Sequence, residues 1–170
     1  GGAQQQGGVR PDLQAEMMEI EREFKEAISA LKQSKVRGGG NALYEMPWFA
    51  IIGPPGAGKS TALRNSGLQF PHLSKSGGGV RGIGGTRNCD WWLTNEAVLL
   101  DTAGRWSTEA EDRDEWLGFL DMLRSFRSKH PLNGLIVAVP ATDLGHAQEN
   151  QVQWLAQQIR ERIDEVMNRL

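Results

Sequence analysis

Trp48-Phe49-Ala50-Ile51-Ile52-Gly53-Pro54-Pro55-Gly56-Ala57-Gly58-Lys59-Ser60-Thr61 is the stretch that decides the fold. Its first five residues form an apolar run of strand length, and Gly53 through Ser60 satisfies G-x-x-x-x-G-K-[ST] at every fixed position. The residue types suit a loop wrapped around phosphate. Glycines let successive backbone N–H groups turn inward without Cβ clashes. Gly53, Pro54, Pro55, Gly56, Ala57 and Gly58 are therefore read as the cradle. A helix opening near Lys59 directs its positive end at the same anion. Lys59 is placed to reach the β- and γ-phosphates, Ser60 to ligate Mg²⁺, and Thr61 to support the α-phosphate.

Downstream, the chain alternates between strand and helix signals. Residues 59–66 read as the helix after the loop, and residues 71–85 as a long connection carrying Gly77, Gly78, Gly79, Gly82, Gly84 and Gly85. Residues 88–93 and 97–101 read as a hairpin across Thr94, Asn95 and Glu96. Residues 112–126 are helical, with Trp116, Phe119, Leu120, Leu123 and Phe126 on one face. Residues 134–139 form a fully apolar strand between Pro131 and Pro140. Val152, Leu155, Ile159, Ile163, Val166 and Leu170 mark a last helix. This alternation predicts an α/β fold with a mainly parallel sheet and helices on both faces. Four strands are few for such a domain, so the sheet is read as incomplete in this chain.

Upstream, residues 1–10 are a Gly/Gln-rich linker that cannot bury enough surface to order itself. Residues 11–40 form an amphipathic helix opened by Pro11 and closed by Gly38, Gly39 and Gly40. Leu13, Met17, Ile20, Phe24, Ala27 and Leu31 lay one apolar stripe along it. Such a stripe packs on its own domain, or serves a stalk that meets a partner or leads to a membrane. Residues 41–170 are the nucleotide domain, truncated at its C-terminal end.

The second carboxylate narrows the class. Val98, Leu99 and Leu100 lead to Asp101 at a strand end, where a Mg²⁺-side aspartate belongs. The loop's Gly-Pro-Pro-Gly-x-Gly-Lys pattern resembles those of AAA-type ATPases and some nucleotide kinases, but an AAA-type ATPase follows its aspartate with glutamate. Here Asp101-Thr102-Ala103-Gly104 gives the D-x-x-G of GTPase-like switch proteins, in which the Gly104 N–H contacts a γ-phosphate. Thr86, after Gly84 and Gly85, stands where such proteins place a threonine on Mg²⁺ and the γ-phosphate; an ordinary loop threonine is the alternative. Two departures matter. Arg105 occupies the position of the water-orienting glutamine, so intrinsic hydrolysis is expected to be slow. The guanine-reading N-K-x-D position reads Pro140-Ala141-Thr142-Asp143, which keeps only Asp143 and leaves ATP and GTP both open.

Composition bounds the rest. The 170 residues, 39% hydrophobic, supply one domain's worth of core. A net charge of -2 and a pI near 6.0 give no basic footprint for nucleic acid. The lone Cys89 fits a reducing compartment and reads as a buried, inert thiol. No run approaches the ~20 apolar residues of a membrane helix, and the chain does not open with methionine, so it is read as a piece of a larger protein. Any membrane attachment then lies outside it. His72, His130 and His146 have no metal-ligand spacing. Adjacent strand residues Trp91 and Trp92 face opposite ways. Arg81, Arg87 and Arg105 lie in or beside the switch segments, either as solvated loop arginines or as one that stabilises γ-phosphate charge.

Several ordered blocks resemble one family. Leu43-Tyr44-Glu45-Met46-Pro47-Trp48 precedes the loop and Leu63-Arg64-Asn65-Ser66-Gly67-Leu68 follows it. Gly84-Gly85-Thr86-Arg87-Asn88-Cys89-Asp90-Trp91-Trp92 and Leu99-Leu100-Asp101-Thr102-Ala103-Gly104-Arg105 complete the set. Together they look like the cytoplasmic NTPase region of the IcmF/TssM proteins of bacterial type VI secretion. The resemblance implies an inner-membrane protein with this region on the cytoplasmic face, membrane segments outside this chain, and an oligomeric assembly. Implied partners are a DotU-like inner-membrane subunit, an outer-membrane lipoprotein and the baseplate. Arg105 matches the family pattern. The reading is thus a GTPase-like P-loop NTPase domain binding Mg²⁺ with ATP or GTP. Its rivals are a scaffold with a static or inactive nucleotide site, and a stand-alone regulatory GTPase.

Overall fold

A computed structural model describes residues 11–33, 42–69 and 88–170. The linker over residues 1–10, the glycine hinge at Gly38, Gly39 and Gly40, the connection over residues 71–85, and Arg81, Thr86 and Arg87 lie outside the described residues.

The sheet is built outward from β1 (Trp48–Ile52), whose uninterrupted apolar run suits a strand covered on both faces. β1 pairs in parallel with β3 (Val98–Thr102) on one side and β4 (Gly134–Val137) on the other. β2 (Cys89–Leu93) closes the far side as the antiparallel partner of β3, giving the order β2-β3-β1-β4. The sheet is therefore mixed. The expected hairpin forms because Thr94 organises its turn: its Oγ1 accepts from the N–H groups of Glu96 at 3.0 Å and Ala97 at 2.9 Å. Val98 of β3 pairs opposite Trp48, and Asp101 opposite Ile51.

Strand alternation divides the core in two. Trp48, Ala50, Ile52, Cys89, Trp91, Val98 and Leu100 face one layer, formed by α1 (Pro11–Gln33), α5 (Arg113–Phe126) and α7 (Glu149–Arg169). Ile51, Trp92, Ala97 and Leu99 face the other, where Leu63 of the six-residue α3 (Lys59–Arg64) meets them. Trp91 and Trp92 thus serve opposite cores, as their adjacency requires. Cys89 is buried, and its thiol pKa is pushed well up by burial.

The stripe of α1 is core. Ile20, Phe24, Ile28 and Leu31 are buried, with Met17 and Ala27 packed at the margin. Phe24 meets the Trp91 ring edge-on at 4.8 Å and stacks on Phe126 at 5.3 Å. Glu23, one position before it, is held by burial, Glu19 and Asp90 at a pKa of about 7, with Arg22 and Asn88 opposing.

Beside β1, a buried guanidinium ties the N-terminal ends of the strands. Arg127, following α5, donates to the carbonyls of Leu43 at 2.8 Å and Met46 at 3.3 Å, to that of His130, and to Asn133 Oδ1 at 3.0 Å. Its plane also lies 5.0 Å from the Trp48 ring and 5.1 Å from that of Tyr44, in the single-turn α2 (Ala42–Glu45). Asn133 Oδ1 in turn accepts from the Trp48 N–H at 2.8 Å.

Three features depart from the pattern read above. β4 ends at Val137 and is not fully buried: Ile136 and Val137 are 44% and 40% exposed. Among the described residues β4 pairs only with β1, so its outer margin meets solvent. The following residues form α6 (Ala141–His146), a short helix absent from the pattern read above. At the start of α7 Val152 is exposed, and burial begins with Ile159. Among the described residues no helix is long and apolar enough to cross a membrane.

Replacing Phe24 with Ala is expected to destabilise the chain by about 3–5 kcal/mol in urea denaturation, as for other fully buried rings. Glu23 gives a pH signature. Between its ordinary 4.5 and about 7 the folded state holds more protons than the unfolded chain, so stability falls as pH rises through that window. Glu23→Gln is expected to flatten this fall and raise the melting temperature at pH 8, measured by thermal denaturation across pH.

Candidate functional site

The site forms because β1 and β3 run the same way and end together. Their register sets Asp101 beside Ile51, two residues before the loop begins. Thr102 fastens the pair further, its hydroxyl donating to the Ile51 carbonyl at 2.7 Å. Ligands of open α/β sheets collect beyond the carboxyl ends of such strands.

The loop's glycines each answer a geometric demand. Gly56 and Gly58 adopt φ of 73° and 80°, the left-handed region that disfavours side chains. At Gly53 a Cβ would sit 2.2 Å from the Ala138 carbonyl oxygen, so the loop leaves β1 pressed against the end of β4. At Gly104 a Cβ would sit 2.6 Å from the Pro55 backbone, so the Asp101–Gly104 turn lies directly on the loop. The contact is held by Ser107, in α4 (Arg105–Thr108), whose Oγ accepts the buried Gly53 N–H at 3.1 Å.

Three of the expected chemical groups meet here. The Ser60 hydroxyl donates to Asp101 Oδ2, joining the first turn of α3 to the end of β3. Lys59 is buried, and its ammonium donates to the Gly53 carbonyl at 3.2 Å. Burial lowers its pKa, while the Asp101 carboxylate works in the opposite direction. Pro55, Gly56, Ala57, Gly58, Lys59, Ser60, Thr61 and Gly104 line one concavity of about 440 Å³, joined by Arg64 and Arg105. Asp143 is not brought there. It is exposed on α6 and lines a separate groove with Pro54, Leu144 and Trp154. Thr86 lies outside the described residues. Among the described residues no cluster of three or more His, Cys, Asp or Glu is placed to hold a metal ion.

Arg105 is tied down beside this concavity. Its guanidinium pairs with Glu115 at 2.5 Å and Asp112 at 3.1 Å, and donates to Asn88 Oδ1 at 2.9 Å. Burial works against its charge, but the two carboxylates more than offset that and raise its pKa. Glu115 is itself buried and also accepts the Trp106 indole N–H at 3.1 Å. Ser107, Asn88 and Glu115 escape sequence reading because their partners lie 54, 17 and 10 residues away, beyond any local pattern.

Comparison with known proteins gives three findings. The model of the IcmF-related N-terminal domain matches residues 109–170. The Type VI secretion system component TssM1 of Pseudomonas aeruginosa is 47% identical over 161 residues, covering 91% of this chain and 15% of that protein. The chain thus spans about 15% of the length of this relative. No solved structure matches the chain.

Ser107→Ala leaves the buried Gly53 N–H without its acceptor. It is expected to cost about 1–3 kcal/mol of stability, measured by urea denaturation, whereas an exposed serine such as Ser128 changed to Ala leaves the transition midpoint nearly unmoved.

Proposed function

Because this chain belongs to the IcmF/TssM family, we propose that it is a nucleotide-binding region of a type VI secretion membrane-complex protein, whose GTPase-like P-loop NTPase fold binds a nucleoside triphosphate with Mg²⁺ and hydrolyses it slowly. The observation that carries this reading is the meeting of Ser60 and Asp101 at the mouth of a glycine loop that also holds Lys59.

The residues fit the implied metal: one alcohol and one carboxylate are the hard oxygen ligands Mg²⁺ takes, alongside phosphate oxygens and water. Ser60 and Asp101 would hold it, with Thr86 as the third group implied by the GTPase-like pattern. When bound, Mg²⁺ neutralises charge on the β- and γ-phosphates. Lys59 supplies the second neutralising charge, exchanging the Gly53 carbonyl for phosphate oxygen. The amides of the loop cradle the phosphates, and Thr61 supports the α-phosphate. Gly104, packed on Pro55, senses the γ-phosphate through its N–H. In hydrolysis a water oxygen bonds to the γ-phosphorus as the bond to the bridging oxygen breaks, yielding a diphosphate and inorganic phosphate. Arg105 follows Gly104 where a water-orienting glutamine would stand, which supports slow turnover.

In the whole protein this region would lie on the cytoplasmic face of the inner membrane. Nucleotide state there is coupled to assembly with a DotU-like subunit, an outer-membrane lipoprotein and the baseplate. A second reading, a scaffold with a static or inactive nucleotide site, draws support from Arg105, which stands tethered in the glutamine's place.

Lys59→Ala is expected to abolish saturable binding of fluorescent ATP and GTP in the presence of Mg²⁺; undiminished affinity would remove the loop from the reading. Wild-type affinity is expected to fall at alkaline pH as Lys59 loses its proton, from a pKa already below its ordinary 10.5. Single-turnover assays of phosphate release separate a slow enzyme from a static scaffold.

A further inference from the structure

Among the described residues, Arg105 is the arginine that both adjoins the Asp101–Gly104 turn and lines the concavity holding Lys59 and Ser60. It opens α4 directly after Gly104, so any movement of that glycine carries it along. Its partners among the described residues include two carboxylates, one amide oxygen and the Trp106 ring. A guanidinium fork matches carboxylate and phosphate oxygens equally well in shape, and a terminal phosphate carries more charge than a carboxylate.

The surroundings limit the penalty of releasing it. Glu115 would keep the Trp106 N–H, so this buried carboxylate is not stripped of every donor. Asp112 is 25% exposed and can be solvated. The side chain of Arg105 is itself 28% exposed, on the side of the concavity.

From this arrangement we infer that Arg105 is a cis-acting charge-stabilising residue, which exchanges Glu115 and Asp112 for the terminal phosphate of a bound triphosphate. Glu115 is the positioning residue that sets how readily the exchange occurs. The inference rests on the nucleotide-binding reading and deepens it. It makes the site discriminate triphosphate from diphosphate through a charge carried by the chain itself. The exchange removes the ties of Arg105 from the start of α4 while the Trp106 bond to Glu115 stays, and so converts phosphate occupancy into a local loosening of the contact between α4 and α5.

The test measures affinities of the full chain for Mg²⁺ with ADP, GDP and their non-hydrolysable triphosphate analogues. Wild type, Arg105→Ala, Arg105→Lys and Glu115→Gln are compared, with circular dichroism and melting curves confirming folding. Arg105→Ala is expected to weaken triphosphate binding about tenfold and leave diphosphate binding unchanged, with Arg105→Lys intermediate. Glu115→Gln is expected to strengthen triphosphate binding, because it loosens the tether without removing the cation. A purely structural clasp predicts that the alanine and glutamine variants shift both nucleotides in the same direction; that result, or an unchanged triphosphate preference in Arg105→Ala, overturns the inference. Should Arg105→Ala fail to fold, the opposite effects expected of Glu115→Gln and Arg105→Lys decide it. Wild-type chain that binds neither class of nucleotide would instead defeat the underlying reading of the loop, and this inference with it.

Discussion

The parallel pairing of β1 with β3 is the constraint on which the site depends. A register that sets Asp101 opposite Ile51 delivers a buried carboxylate to the place where the glycine loop departs. A slip of one residue would turn Asp101 toward the aromatic layer of α1 and α5, and send Leu100 to the side of α3. The apolar alternation of β3 forbids that slip: Val98 and Leu100 fit one core, Ala97 and Leu99 the other. Hydrophobic packing over several residues therefore fixes the position of one charge.

Much of this was legible in sequence, for an identifiable reason. The loop motif, the β1 run, the hairpin and the aromatic face of α5 all announce themselves through local spacing, and each appears within a residue or two of its expected limits. The four-residue helices α2 and α4 do not, since a single turn has no period to detect. Exposure of the β4 margin and of Val152 was not legible either, because an apolar run does not declare whether it lies inside a sheet or at its side.

The candidate site divides in the same way. Gly56, Gly58, Lys59, Ser60, Asp101 and Gly104 follow from a motif whose chemistry dictates residue types. The groups that hold the loop and turn together follow from three-dimensional contact alone. Ser107 reaches back to Gly53, and Asn88 and Glu115 reach Arg105 from separate elements. Asp143, singled out as the surviving acid of the guanine-reading position, lines a different groove because that segment coils into α6.

The Arg127 cluster lends the sheet a polarity along its strands. At their N-terminal ends one guanidinium binds five backbone or side-chain oxygens and lies near two rings. At the opposite ends the ties are divided among separate side chains: Thr102 on Ile51, Ser107 on Gly53, Ser60 on Asp101 and Arg105 on Glu115. Regions with many buried partners open last, and those with few open first. By that measure both poles are held, one through a single residue and the other through several independent ones. A rim held by independent contacts can give up one of them without loosening the sheet beneath.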